Sequence, residues 1–218
     1  MKESVAVDRV KGAGLVPMPV YHNTFQLTRR VLDEKVPGDL VECGVFAGAQ
    51  AALMALAMHG RPEILGRRVH LYDSFEGIPM AGPHDTEQPG VGPLLNGGCG
   101  SLVSSGVSAC SAEEVSSNLK RWGTPSGVCV LHKGWFQDTV PRWPGKRGVA
   151  LLRIDGDLYE STLVCLEHLY PHLSEGGICI VDDCNLAGCD KAVSDYFEGS
   201  PPPRKKVEGG DGCEWWVK

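Results

Sequence analysis

With 218 residues, 42% hydrophobic and 22% charged, the chain is long enough to bury one sizeable core and has the make-up of an ordinary globular domain. A formal net charge of -6 gives no basic footprint, which argues against nucleic acid or an anionic membrane as partner. No apolar run approaches the roughly 20 residues of a membrane span, and the opening MKESVAVDRVKG lacks the apolar stretch of a signal peptide, so a single cytoplasmic domain over 1–218 is expected. The 9 cysteines are odd in number and scattered, and Cys43, Cys129, Cys165 and Cys179 fall inside apolar runs, so reduced thiols are expected rather than a disulfide framework or structural zinc.

A lead-in region, 1–36, mixes turn formers with one helical patch. Phe25, Leu27, Val31 and Leu32 recur at helical spacing after a possible cap at Asn23 or Thr24. A βαβ rhythm follows. GDLVECGVFAGAQAALMALAMHG reads as a strand from Asp39 to Glu42, a glycine turn from Gly44 to Gly48, and a helix from Ala49 to His59. The next strand, RRVHLYDSFEG, stops at Asp73. An acid ending each strand, with small residues in the turn between, suits a nucleoside site: the glycines let backbone approach a ligand and Asp73 can accept the ribose hydroxyls. The pattern Glu42-x-Gly44-x-x-x-Gly48 places Phe46 where a dinucleotide fingerprint has glycine. That argues for a ligand without a pyrophosphate, and S-adenosylmethionine fits, its ammonium facing Glu42.

From 79 to 110 the periodicity collapses into glycine, proline and serine. Its place after Asp73 makes a lid over the substrate pocket the favoured reading, with an inert insertion as the alternative. Ser111 followed by Glu114 is a capping box opening a helix. A third strand, Val128 to Leu131, leads to Gly134 and Trp135, where Trp135 and Phe136 either stack on an adenine or fill the core. His132, alone at a strand end, reads as packed.

The most informative stretch is LLRIDGDLYES, an apolar run ending in Asp155 and Asp157; after a helix from Thr162 to Leu173, GGICIVDDC ends in Asp182 and Asp183. Buried parallel strands read as continuous apolar runs and present ligands at their carboxyl ends. Carboxylates crowded there raise one another's pKa or need a cation between them, and hard oxygen ligands suit magnesium, manganese or calcium better than zinc. A further helix, CDKAVSDYFEG, and a hairpin in KKVEGGDGCEWWVK complete an expected α/β, three-layer Rossmann-like fold of about seven strands, parallel except for the terminal antiparallel hairpin.

The ordered succession GDLVECGVFAG, HLYDSFEGIP, KGWFQDTVP, LLRIDGDLYEST, LYPHLSEGGICIVDD, CDKAV and EWWVK resembles the macrocin O-methyltransferase (TylF-like) family from about Pro37 onward. The resemblance implies a class I methyltransferase fold and magnesium-dependent transfer of a methyl from S-adenosylmethionine to a sugar hydroxyl of a natural product. It implies Asp155, Asp182 and Asp183 as metal ligands, with Asp157 supporting them, and Glu42, Gly44, Asp73 and Ser74 at the cofactor; Gly48, Gly134, Trp135 and Asp155 are further cofactor-side candidates. The family's lid histidine has no counterpart around Leu95 to Gly100. The base is therefore either His84 or, with the metal lowering the hydroxyl pKa, water or an aspartate. The expected partner is a small-molecule hydroxyl, most simply a vicinal diol, with a catechol-type phenol or a catalytically idle cofactor-binding protein as alternatives and a homo-oligomer left open.

Overall fold

The computed structural model describes residues 1–61, 66–85 and 103–218. Strands β1 (Asp39–Cys43), β2 (Val69–Asp73), β3 (Cys129–Lys133), β4 (Val149–Ile154), β5 (Leu173–Val181), β6 (Lys205–Lys206) and β7 (Glu214–Val217) form a 7-stranded sheet in the order β3-β2-β1-β4-β5-β7-β6. The first five pair in parallel, and β7 runs antiparallel to both β5 and β6. β1 and β4 are buried along their whole length, as expected of strands covered on both faces, and they carry Glu42 and Arg153 into that interior.

Alternation along the central strands divides the core. Leu40, Leu151, Ile178 and Ile180 pack toward helices α1 (Glu3–Val10), α2 (Met18–Asp33) and α3 (Ala49–Ala57). Val41, Leu152, Ile154, Cys179 and Val181 pack toward α6 (Tyr159–Leu169) and α7 (Ala187–Tyr196). α4 (Ala112–Arg121) adds Val115 and Leu119 to the first group, and the one-turn α5 (Phe136–Thr139) follows β3. The three-layer mixed sheet is the expected architecture.

Three local expectations shift. α1 was not read from the sequence, because it is short and followed by the glycines Gly12 and Gly14; only Ala6, Val7 and Val10 are buried on it. α2 starts at Met18 rather than after Asn23, since the first helical turn tolerates Pro19, which has no amide hydrogen to lose there. The helix expected to reach Leu173 ends at Leu169; a 3-10 turn at Tyr170–His172, containing Pro171, intervenes, and Leu173 already belongs to β5.

The segment expected to form a lid falls partly outside the described residues, which omit 86–102. Its two ends pair as a ribbon: Ile78 N donates to Val107 O (2.9 Å), Met80 N to Val103 O (3.0 Å) and Ser105 N to Ile78 O (2.8 Å). Among the described residues no helix is long and apolar enough to cross a membrane, and the cysteines are free thiols.

Candidate active site

Strand order reverses between β1 and β4, and a cleft opens there at the carboxyl ends of the strands, as the topology of doubly wound sheets dictates. The turn after β1 forms one wall. Gly44 has φ +85°, and a Cβ on it would collide with the carbonyl oxygen of Asp155, so only glycine lets the ends of β1 and β4 come this close. Asp73 closes the turn from β2: its Oδ2 accepts from the backbone N–H of Val45 (2.6 Å) and Phe46 (3.2 Å), and its Oδ1 from Phe75 N (2.7 Å). Oδ1 retains acceptor capacity toward the cleft, which Asp73 lines beside Ser74. Ser74 shapes the next turn by donating to Gly77 O (2.8 Å) and accepting from Glu76 N (3.0 Å).

The electrostatic centre is Arg153, the penultimate residue of β4, which has no exposed surface and lies opposite Glu42 in the β1–β4 register. Its Nη1 donates to Asp155 Oδ2 at 2.8 Å and reaches Glu42 Oε1 at 3.4 Å, while Nη2 lies 3.0 Å from Asp182 Oδ2. One cation therefore serves three carboxylates from three adjacent strand ends. Burial pushes Glu42 up to about 8, against the pull of Arg153, and Asp155 up to about 7. Sequence reasoning missed Arg153, although a charged residue inside LLRID was a usable signal, because an arginine in a fully buried strand needs carboxylate partners.

Asp155 also belongs to a second group. Ligand oxygens of Asp155, Asp157 and Asp183 all lie within 4.8 Å of one another, a spacing compatible with a shared cation. Asp157 is held in the left-handed region (φ 56°), which aspartate tolerates better than most residues, and its N–H donates to Asp183 Oδ2 (3.1 Å). Burial raises Asp157 to about 6, with the charge of Asp182 adding to it, and burial together with the neighbouring Asp155 raises Asp183 well above the ordinary carboxylate range. Asp182, expected as a ligand, turns one oxygen to Arg153, while its Oδ1 is buried without a hydrogen-bond partner. Glu42 Oε2 and both amide atoms of Gln50 are likewise buried and unpaired, and all these residues line the cleft. Unpaired polar atoms are costly in a finished interior. Their grouping around one cleft fits a polar, partly cationic ligand, and the all-oxygen donor set fits a hard divalent cation.

Of the other residues expected from sequence, Trp135 lines the cleft. Gly134 lies behind it: it takes φ +142° and donates to Asp73 O (3.0 Å). Gly48 (φ +89°) starts α3, and a Cβ there would sit 3.1 Å from Val115 Cγ1, so it admits α4 rather than ligand. His84 is not brought to the acids. It lies in the 3-10 turn Pro83–Asp85 with its ring against Tyr159 (centroids 4.2 Å) and is not among the residues that line the cleft. His132 stacks on Tyr72 (4.2 Å), and its Nε2 lies 2.9 Å from His70 Nδ1. Burial, together with the neighbouring His70, lowers its pKa to about 4, in keeping with a packed role. The loop Gly14–Val16 and Gln50 also line the cleft, and no pattern in the sequence marked them.

A sequence comparison finds 40% identity over 181 residues with 8-demethyl-8-(2,3-dimethoxy-alpha-L-rhamnosyl)-tetracenomycin-C 4'-O-methyltransferase of Streptomyces olivaceus, covering 82% of this chain and 66% of that one. Demethyldecarbamoylnovobiocin O-methyltransferase of Streptomyces niveus is 37% identical over 175 residues, covering 80% of this chain and 63% of its own. The chain thus spans a little under two thirds of the length of these relatives. Among solved structures, the O-methyltransferase NovP aligns with a TM-score of 0.76 at 32% identity over 100% of this chain and 88% of that one. The calicheamicin methyltransferase CalS11 aligns with 0.71 at 22% over 99% and 90%, a likeness of fold. The sequence model of the macrocin O-methyltransferase (TylF) family matches residues 20–204, and with these relatives it places the cleft, the glycine turn and the aspartates in context: the chain belongs to the macrocin O-methyltransferase (TylF) family.

Proposed function

We propose that this chain transfers a methyl group from S-adenosylmethionine to a hydroxyl oxygen of a small molecule, a sugar vicinal diol of a natural product, with the help of magnesium or manganese. The observation that carries the reading is the grouping of Asp155, Asp157 and Asp183 within 4.8 Å beside buried, unpaired oxygens of Glu42 and Asp182 in one cleft. The printed activities of the relatives, all O-methyltransferases, support it. When bound, the cofactor supplies an electrophilic methyl, and the cation supplies positive charge that acidifies a neighbouring hydroxyl.

The chain's own residues divide the remaining work. Asp73 and Ser74 meet the nucleoside, with Trp135 on the same wall, and Glu42 faces the ammonium. Asp155, Asp157 and Asp183 hold the cation, with Asp182 at its edge through the oxygen that Arg153 leaves free. Arg153 keeps Glu42, Asp155 and Asp182 in fixed directions, so little has to reorganise as a ligand arrives. Asp157 stands within the same carboxylate group, in reach to accept the hydroxyl proton, and takes over the role that the sequence suggested for His84. The test is a methyl-transfer assay on a panel of glycosides. EDTA should abolish transfer, magnesium or manganese should restore it, and Asp183→Asn should lose turnover while keeping cofactor affinity. Full activity in EDTA would refute the metal part of the reading.

A further inference from the structure

Two helices leave the acid-bearing strand ends, and neither can cap itself. α6 begins after Leu158 and α7 after Leu186, and neither leucine side chain bonds to the helix it opens. A leucine side chain has no acceptor to offer the free N–H groups of a first turn. These are the helices that fix the turns carrying Asp155 and Asp157 on one side and Asp182 and Asp183 on the other.

For α6 an acceptor comes from a distant part of the chain. Asp85, in the turn at the foot of the 79–110 insertion, is 2% exposed. Its Oδ1 accepts from Tyr159 N, the first residue of α6, at 2.9 Å, and its Oδ2 accepts from Gly82 N at 3.0 Å. The same Oδ1 lies against Gly188 in the first turn of α7: a Cβ at Gly188 would collide with it and sit 3.1 Å from Asp85 Cγ. One buried carboxylate therefore stands between two helix N-termini, where negative charge is favoured, and glycine at 188 makes room for it. His84, next in the chain, packs on Tyr159 beside the same helix start.

We propose that Asp85 is a positioning residue for the cation group: by bridging the starts of α6 and α7 it sets the distance between the turn of Asp155 and Asp157 and the turn of Asp183. The inference rests on the cation reading above. Asp85 itself touches neither reacting atoms nor the proposed ion. It acts through the backbone of α6 and α7.

The experiment uses the full chain and two binding readouts, Mn²⁺ by electron paramagnetic resonance and S-adenosylhomocysteine by calorimetry. Asp85→Ala should weaken Mn²⁺ binding about tenfold, the scale for losing a group that orients metal ligands, with S-adenosylhomocysteine affinity unchanged because the glycine turn and Asp73 lie elsewhere. Asp85→Asn keeps an oxygen for Tyr159 N and should recover most of the loss. Gly188→Ala, which displaces the carboxylate from the other side, should reproduce it with Asp85 intact. Unchanged Mn²⁺ affinity in Asp85→Ala, or a parallel fall in both affinities, would overturn the proposal. A wild-type chain that binds S-adenosylhomocysteine but no Mn²⁺ would remove the cation reading itself, and this inference with it.

Discussion

Arg153 governs how charge is shared among the strand ends. A guanidinium with no exposed surface is tolerable only because Glu42, Asp155 and Asp182 surround it, and they in turn can sit so close together only because it is there. Removing one partner of a buried ionic group costs about 3–5 kcal/mol, so Arg153→Met should lower stability by that order in urea unfolding at pH 8. The loss should shrink at pH 5, where Glu42 and Asp155, already raised by burial, can take up protons. An equal loss at both pH values would mean that the cost is one of packing, not charge. Asp73 is a contrasting case. Its carboxylate holds the glycine turn through Val45 N and Phe46 N and faces the cleft, so Asp73→Ala should weaken S-adenosylhomocysteine binding by about 1.5–3 kcal/mol, the scale for hydrogen bonds to a charged group. Unchanged calorimetric affinity would remove it from the site. The aspartates were legible in the sequence because each ends an apolar run. Arg153 left a signal that was missed, a charge inside such a run, whereas Gln50 left none, being one polar residue in an alanine-rich helix whose significance depends on what it faces.

Among the elements, legibility followed how local the stabilising chemistry is. The start of α4 was readable because its cap is built from neighbours: Ser111 Oγ accepts from Glu114 N at 3.2 Å, and Glu114 Oε2 accepts from Ser111 N at 2.9 Å. Ser111→Ala should cost about 1 kcal/mol in equilibrium unfolding, without changing cofactor affinity, since the box is exposed and away from the acids; a change in affinity would show that α4 braces the glycine turn through Val115 and Gly48 more rigidly than its contact implies. The starts of α6 and α7 were harder to read, since both open on a leucine, and α6 borrows an acceptor from a residue far away in sequence. The same contrast explains β5. Its apolar half, from Gly177, announces itself, whereas Leu173 to Gly176 is a strand only because it pairs back, Leu173 opposite Val149 and Gly176 N on Lys218 O at 3.0 Å.

At the scale of the whole molecule, a mostly parallel sheet of about seven strands closed by an antiparallel hairpin follows from the alternation of apolar strands and helices, and that part was legible in the sequence, whereas the strand order was not read there. What no local pattern encodes is the electrostatic state that results when several strand ends meet. Glu42 carries the clearest consequence. Its ordinary value is 4.5, and burial raises it to about 8 in the folded chain. Between those values the folded protein keeps a proton that the unfolded chain has released, so unfolding releases a proton and the group's contribution to stability declines as pH rises. The sign is opposite to that of a salt-bridged surface carboxylate, whose folded value is depressed. Thermal unfolding of the metal-free protein from pH 5 to 9 should therefore show wild type and Glu42→Gln closest at pH 5, separating progressively up to about pH 8 with the glutamine variant the more stable, and separating no further above that. Ligand binding should act in the opposite direction. The ammonium proposed to face Glu42 favours the ionised form, so saturating S-adenosylhomocysteine should stabilise wild type more at pH 8 than at pH 5, and Glu42→Gln should lose that pH-dependent part of the stabilisation. A wild-type curve that separates downward from the variant at low pH, or cofactor stabilisation independent of pH in both proteins, would mean that Glu42 is ionised in the empty site and that Arg153 alone sets its charge.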